Sequence, residues 1–136
     1  MARLHVLAVG ARLPAWAEAA CADYAKRMPK GYEVDRLLLR ESQLGDIFPK
    51  FGKARIVALD ERGKDLSTAE FSRLLSQETA FVIGPADGLP EDFKRRAALV
   101  VRLSSLTLAH ALAQVVLLEQ LYRAASLLGG HPYHRA

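Results

Sequence analysis

The sequence predicts an α/β domain, a mainly parallel sheet with helices on both faces. Three observations carry that expectation. Five short runs rich in aliphatic and β-branched residues recur along 136 residues, segments with helix-start signals lie between them, and 51% of the residues are hydrophobic. A chain of this length buries about two thirds of its unfolded surface, enough for one core and little for two, so residues 1–136 are expected to form a single domain.

The elements follow in order. Leu4–Val9 reads as the first strand, and residues 14–27 read as a helix with Pro14 near its first turn, where a missing N–H costs nothing. Val34–Leu39 is a second strand whose apolar pattern Asp35 and Arg36 interrupt. Residues 41–53 form a connection containing glycine and proline, with room for one short helical turn. Residues 55–59 are the third strand. Ser67-Thr-Ala-Glu70 fits a capping box, in which hydroxyl and carboxylate satisfy the exposed backbone donors of a helix over residues 68–77. Strands at 80–83 and 99–103 flank a helix over 90–98. The strands other than Val34–Leu39 read as strands buried on both faces. The final helix, residues 109–128, stops at Gly129-Gly130 in a left-handed turn.

That helix is apolar almost all round, because Leu112, Val115, Val116, Leu118, Leu121, Tyr122, Ala125 and Leu128 occupy every sector of the wheel. One sheet cannot cover a full circumference, so a second copy of the chain is expected to cover the rest, giving a homodimer. His110, Gln114, Glu119, Gln120 and Arg123 interrupt the same stretch and would be expensive in lipid, so no membrane span is expected. The single Cys21 has no partner for an internal disulfide and no signal peptide is recognisable, which points to the cytoplasm. Nineteen basic against fifteen acidic side chains, a net charge of +4, favour a polyanionic partner without demanding one.

Two common nucleotide sites are excluded. Gly10 ends the first strand without a Gly-x-Gly-x-x-Gly turn, and the phosphate-cradling Gly-x-x-x-x-Gly-Lys-Ser/Thr loop is absent. Three loops that each follow a strand remain, at residues 59–63, 84–88 and 104–108. In an open parallel sheet ligands bind beyond the carboxyl ends of the strands, so these loops either converge on one pocket or are plain turns. His110 shares a helix face with Gln114, and Glu119 with Arg123 reads as a structural ion pair. The run Lys94-Arg95-Arg96 is either a solvated helix end or part of an anion-facing surface. His131 and His134 lack a helix to fix their faces and a nearby third ligand, so no metal site is expected. Tyr133, His134 and Arg135, just past a long apolar helix, are either a frayed end or part of a site.

These residues resemble the RlmH family of ribosomal large-subunit RNA methyltransferases, within the SPOUT superfamily. The resemblance covers nearly the whole chain. It rests on Leu7-Ala-Val-Gly10 with Trp16, Asp23-Tyr-Ala-Lys-Arg27, Leu59-Asp-Glu-Arg-Gly-Lys64, Phe81-Val-Ile-Gly84 with Asp87-Gly-Leu89, Ser105-Leu-Thr-Leu with His110, Leu117-Leu-Glu-Gln-Leu-Tyr-Arg-Ala124 and Pro132-Tyr-His-Arg135.

The resemblance implies a SPOUT-type α/β-knot, with a trefoil knot near the C-terminus that chain-topology rules alone would argue against. It implies S-adenosyl-L-methionine as methyl donor and a homodimer whose active site draws on both subunits. Its substrate would be N3 of a pseudouridine in helix 69 of 23S rRNA on the assembled 70S ribosome. Leu59, Gly84, Leu103, Ser104, Ser105, Leu106, Thr107 and Leu108 match the cofactor contacts, and His110, Tyr133, His134 and Arg135 the catalytic and substrate-facing set. The residue types suit that chemistry. N3 must lose a proton before it attacks, and histidine is the side chain that titrates near neutrality. Arginine can stabilise the anion or grip phosphate, and tyrosine can stack on the base.

Three departures stand out. Pro85 replaces a usual glycine and removes a backbone donor, Ala109 stands where proline is common, and Gln114 replaces a frequent arginine. Residues 39–56 are also short for the family. A catalytically inactive ribosome-binding assembly or silencing module with the same fold is therefore the competing expectation, and a small-molecule enzyme using the same pocket is a third.

Overall fold

The computed structural model describes residues 3–135, and for His134 and Arg135 the backbone alone. Leu4–Val9 is β1, Ala15–Arg27 α1, Val34–Leu39 β2, Ile47–Lys50 α2, Arg55–Asp65 β3 and Thr68–Ser72 α3. Thr79–Ile83 is β4, Glu91–Arg96 α4, Leu99–Arg102 β5 and His110–Leu128 α5. Short 3-10 turns occupy Glu41–Asp46, Arg73–Ser76 and Pro132–Arg135.

The strands pair in the order β2-β1-β4-β3-β5, and every pair is parallel. Parallel neighbours require crossovers, and these place helices on both faces of the sheet. One face carries Leu4, Val6, Val57, Phe81, Ile83 and Val101, which pack with Cys21 of α1, Phe71 of α3 and Leu117 and Leu121 of α5. The other carries Leu7, Val9, Ile56, Ala58 and Val82, covered by Ile47 of α2 and by Leu89 and Phe93 at α4. The short 41–53 connection thus still supplies a cover for its face. It does so with a 3-10 turn followed by the single turn of α2, and Ile47 is buried.

Three expectations change. The third strand does not end at Leu59 but runs on to Asp65, with a break in register: Val101 of β5 faces both Leu59 and Lys64. The residues between them leave the ladder as a bulge. Secondly, β5 lies at the edge of the sheet, where Leu99, Val100 and Arg102 are only partly buried although Leu99 and Val101 pack on one face and Val100 on the other. Thirdly, the helix from Thr68 gives way at Arg73 to a 3-10 turn. There Ser72 and Ser76 hydroxyls donate to the carbonyls three residues back, at 2.6 and 2.9 Å, and compete with the α-helical pattern.

The helix ends behave as read. Ser67 Oγ accepts from Glu70 N at 3.1 Å while Glu70 carboxylate accepts from Ser67 N at 2.8 Å. At the far end of α5 it is Gly130, at φ 73°, that takes the left-handed conformation, and Gly129 does not. Along α5, Leu117, Leu118, Leu121, Ala124 and Ala125 are buried, whereas Leu112 and Leu128 remain 41% and 45% exposed. Within one chain its apolar circumference is therefore only partly covered.

Two stability effects are expected in urea unfolding. Ser67→Ala removes one half of the capping box and lowers stability by about 1 kcal/mol. Gly63→Ala costs about 1–3 kcal/mol, because a Cβ there would lie 2.6 Å from the Val101 carbonyl carbon and 2.8 Å from its nitrogen. An unchanged midpoint for Gly63→Ala would show that the bulge can open without loss.

Candidate active site

The carboxyl ends of β3, β4 and β5 lie side by side, and the three loops that leave them enclose one cavity of about 660 Å³. That is within the range of about 300–1,000 Å³ typical of small-molecule sites. The expected convergence is what the fold produces.

The first wall is the bulge of β3. Asp60 Oδ2 accepts from the Arg62 backbone at 3.0 Å, which tightens the turn, and Asp60 Oδ1 meets Lys94 Nζ at 3.3 Å. Both side chains are nearly enclosed, at 11% and 14% exposure. Lys94 also reaches Glu91 at 3.0 Å. The bond to Glu91, and then that to Asp60, hold the ammonium above its ordinary range against the opposing effect of burial. The pair joins the β3 bulge to α4 across the cavity wall.

The second wall runs from Ile83 to Leu89. Gly84 is there because nothing larger fits: a Cβ would lie 2.7 Å from Leu89 Cγ and 2.9 Å from its backbone nitrogen. Gly88, at φ 89°, turns the chain back toward α4. Pro85 packs against Gly10, whose Cβ position is 3.6 Å from the proline, so the loop after β1 backs the loop after β4.

The third wall is formed by Leu103, Ser104, Leu106, Thr107 and Leu108, continuing through Ala109 into His110 and Ala113 of α5. Ser104 Oγ accepts from Leu106 N at 2.9 Å and folds this segment into a turn. Leu106 is 75% exposed beside the opening. His110, the first residue of α5, has Nε2 3.0 Å from the side-chain nitrogen of Gln114, one turn on, and Gln114 is buried. The residue that replaces an expected arginine thus orients the histidine ring. Gln114 also lines a second cavity, of about 540 Å³, with Arg12, Arg36 and Leu38, so the pair stands between the two spaces.

Of the residues expected from sequence, Leu59, Gly84, Leu103, Ser104, Leu106, Thr107, Leu108 and His110 are brought together. Ser105 is exposed and does not line the cavity. Tyr133 lies elsewhere, docked on α1 and α5 of its own chain, and the side chains of His134 and Arg135 lie outside the described residues. Sequence reasoning did not single out Asp60, Glu91 and Lys94 as a group. The available signal was the three-residue spacing of Glu91 and Lys94 on a helix entered directly from the second loop. Among the described residues no group of three or more His, Cys, Asp or Glu could hold a metal, and no helix is long and apolar enough to cross a membrane.

Comparison with known proteins places this arrangement. A family model described as a predicted SPOUT methyltransferase matches residues 2–134. A protein of Janthinobacterium sp. (strain Marseille) named ribosomal RNA large subunit methyltransferase H is 40% identical over 156 positions, which take in 98% of this chain and 99% of the relative. At least 20 of those positions have no residue in this 136-residue chain. Among solved structures, a probable methyltransferase from Bordetella pertussis Tohama I has a TM-score of 0.62 at 14% identity, covering 91% of this chain and 95% of its own. The SpoU methyltransferase AviRb from Streptomyces viridochromogenes in complex with AdoMet has a TM-score of 0.56 at 15% identity, covering 93% of this chain and 58% of its own. At those identities the structural likeness is one of fold. The family match along the chain and the 40% identity with a close homologue settle its membership: the chain belongs to the SPOUT methyltransferases, in the ribosomal RNA large subunit methyltransferase H family.

Proposed function

We propose that this chain methylates 23S rRNA with S-adenosyl-L-methionine as donor, at N3 of a pseudouridine in helix 69 of the assembled 70S ribosome. It acts in this reading as a cytoplasmic homodimer whose C-terminal region is threaded as a trefoil knot. The observation that carries the proposal is the meeting of three strand-end loops around one cavity that has His110 in its wall.

The residues present suit the cofactor. Leu59, Ile83, Leu89, Leu103 and Leu108 offer an apolar surface for an adenine ring. The backbone around Gly84 and the turn from Leu103 to Leu108 would hold its polar edges, and Asp60 and Glu61 stand near enough to favour a cation. The bound cofactor supplies an electrophilic methyl group on a sulfonium. The name of the Janthinobacterium relative points to ribosomal RNA of the large subunit, and the AviRb complex shows the cofactor in a protein of this fold. A net charge of +4 suits a polyanionic substrate.

The chemistry asked of the protein is modest. His110 or His134 accepts the N3 proton, Arg135 stabilises the resulting anion or grips a neighbouring phosphate, and positioning supplies most of the rate. Tyr133, held on α1 and α5, does not line the cavity of its own chain, and a composite site closed by the second copy fits that placement. Exposed Trp16, Leu112 and Leu128 offer apolar surface for that copy.

Two results test the reading. His110→Ala and His134→Ala are expected to lower turnover on ribosomes, and loss of the true base about a hundredfold or more; full turnover in both variants refutes a histidine base. Deleting residues 133–136 should abolish methylation, read by mass spectrometry of rRNA nucleosides, while the fold and the dimer mass hold. Pro85 and Gln114 motivate one competing reading, an inactive ribosome-binding module, and calorimetry that found no S-adenosyl-L-methionine binding at millimolar concentration would favour it instead.

A further inference from the structure

Among the described residues, the side chain that docks the segment after α5 onto the helices is that of Tyr133. Gly130 reverses the chain, His131 N donates to Ser126 O at 2.8 Å, and Pro132–Arg135 forms a 3-10 turn. Tyr133 points from that turn onto α5. Its hydroxyl donates to Glu119 Oε2 at 3.0 Å, and the hydroxyl of Tyr24 on α1 lies 3.4 Å away. A phenol has one proton, so with Tyr133 giving its own to the carboxylate, Tyr24 is the donor to Tyr133.

Glu119 is itself fixed. Arg123 Nε and a terminal nitrogen donate to the same Oε2 at 3.0 and 2.7 Å, and Gln120 donates to Oε1 at 2.8 Å. Gln120 in turn accepts from Thr68 of α3 at 3.0 Å. The Tyr133 ring stands edge-on to Tyr122 with centroids 4.5 Å apart, and the Arg123 guanidinium carbon lies 4.9 Å from the ring centre. Two helices, α1 and α5, therefore meet at one phenol, and α3 braces its acceptor through Gln120. Burial, then the bonds with Tyr24 and Glu119, push that phenol above its ordinary range, so it stays a neutral donor.

We propose that Tyr133 is a positioning residue: docked between Tyr24, Glu119, Tyr122 and Arg123, it fixes the place from which His134 and Arg135 reach the substrate, and it does not touch the RNA itself. Its hydroxyl is spent on internal partners and both ring contacts are intramolecular. The next two residues along the chain, within the same 3-10 turn, are those assigned to the substrate above. The inference rests on that assignment, but the anchor can be measured without any substrate.

The test uses the full-length protein and Tyr133→Phe, Glu119→Gln and the double variant. Hydrogen exchange of the amides of residues 131–135 should quicken about tenfold in Tyr133→Phe, the loss of one bond to a charged acceptor. kcat on ribosomes should fall by a similar factor, with S-adenosyl-L-methionine affinity unmoved and the unfolding temperature lowered by only a few degrees. The double variant should lose less than the product of the two single losses, because both changes remove the Tyr133–Glu119 bond. Unchanged exchange with losses that multiply would show that Tyr133 meets the RNA directly and overturn the proposal. Faster exchange with wild-type kcat would overturn it too, since the anchor would then position nothing that matters. A wild-type protein that methylates no ribosome would instead sink the functional reading, and the exchange data would still say whether the anchor exists.

Discussion

The double pairing of Val101 is the constraint on which the site depends. One residue of β5 faces Leu59 and Lys64 of β3, so the residues between them must leave the sheet. Gly63 is the point of closest approach, where only a hydrogen fits against the β5 backbone. Beyond it, Asp65 and Arg102 grip each other through both carboxylate oxygens, which pulls the Asp65 carboxyl below its ordinary range and re-joins the strands. Between these fixed points Asp60, Glu61 and Arg62 can go only outward, into the wall of the cavity. The first loop is thus placed by the sheet itself.

Most of the fold was legible because it is local or periodic. β1 begins and ends at the residues expected, since short apolar runs between turn signals have few other ways to be buried, and β2 does so as well although most of it is not buried. The capping box at Ser67 was equally plain, because all its atoms lie within four residues. The continuation of β3 was not: every residue of Asp60-Glu-Arg-Gly-Lys-Asp65 but Gly63 is charged, and what makes it a strand is β5, which begins only at Leu99. The edge position of β5 was hidden for the same reason, because strand order is a property of the whole chain.

The candidate site divides along the same line. Its loops could be named in advance, since the carboxyl ends of parallel strands are where such folds leave room. Its ion pair could not, because Asp60 and Lys94 meet only when β3 and α4 are folded against each other. Tyr133 was recognisable as belonging to a special segment, but its partners lie up to 109 residues away on α1, and nothing in its own neighbourhood announces them. Long-range polar contacts carry no periodicity, and they are where reading a sequence stops.

Pro85 changes the thermodynamics of whatever enters the cavity. A proline in the middle of a ligand-facing loop has already surrendered its φ freedom in the unfolded chain, and here it is also seated on Gly10. A wall of that kind has little left to lose when a guest arrives. Association is then limited by desolvation and fit more than by ordering of the protein, at the expense of the backbone donor that a glycine would have offered. The same rigidity narrows the range of guests the loop can mould itself around, so selectivity resides in shape fixed before encounter.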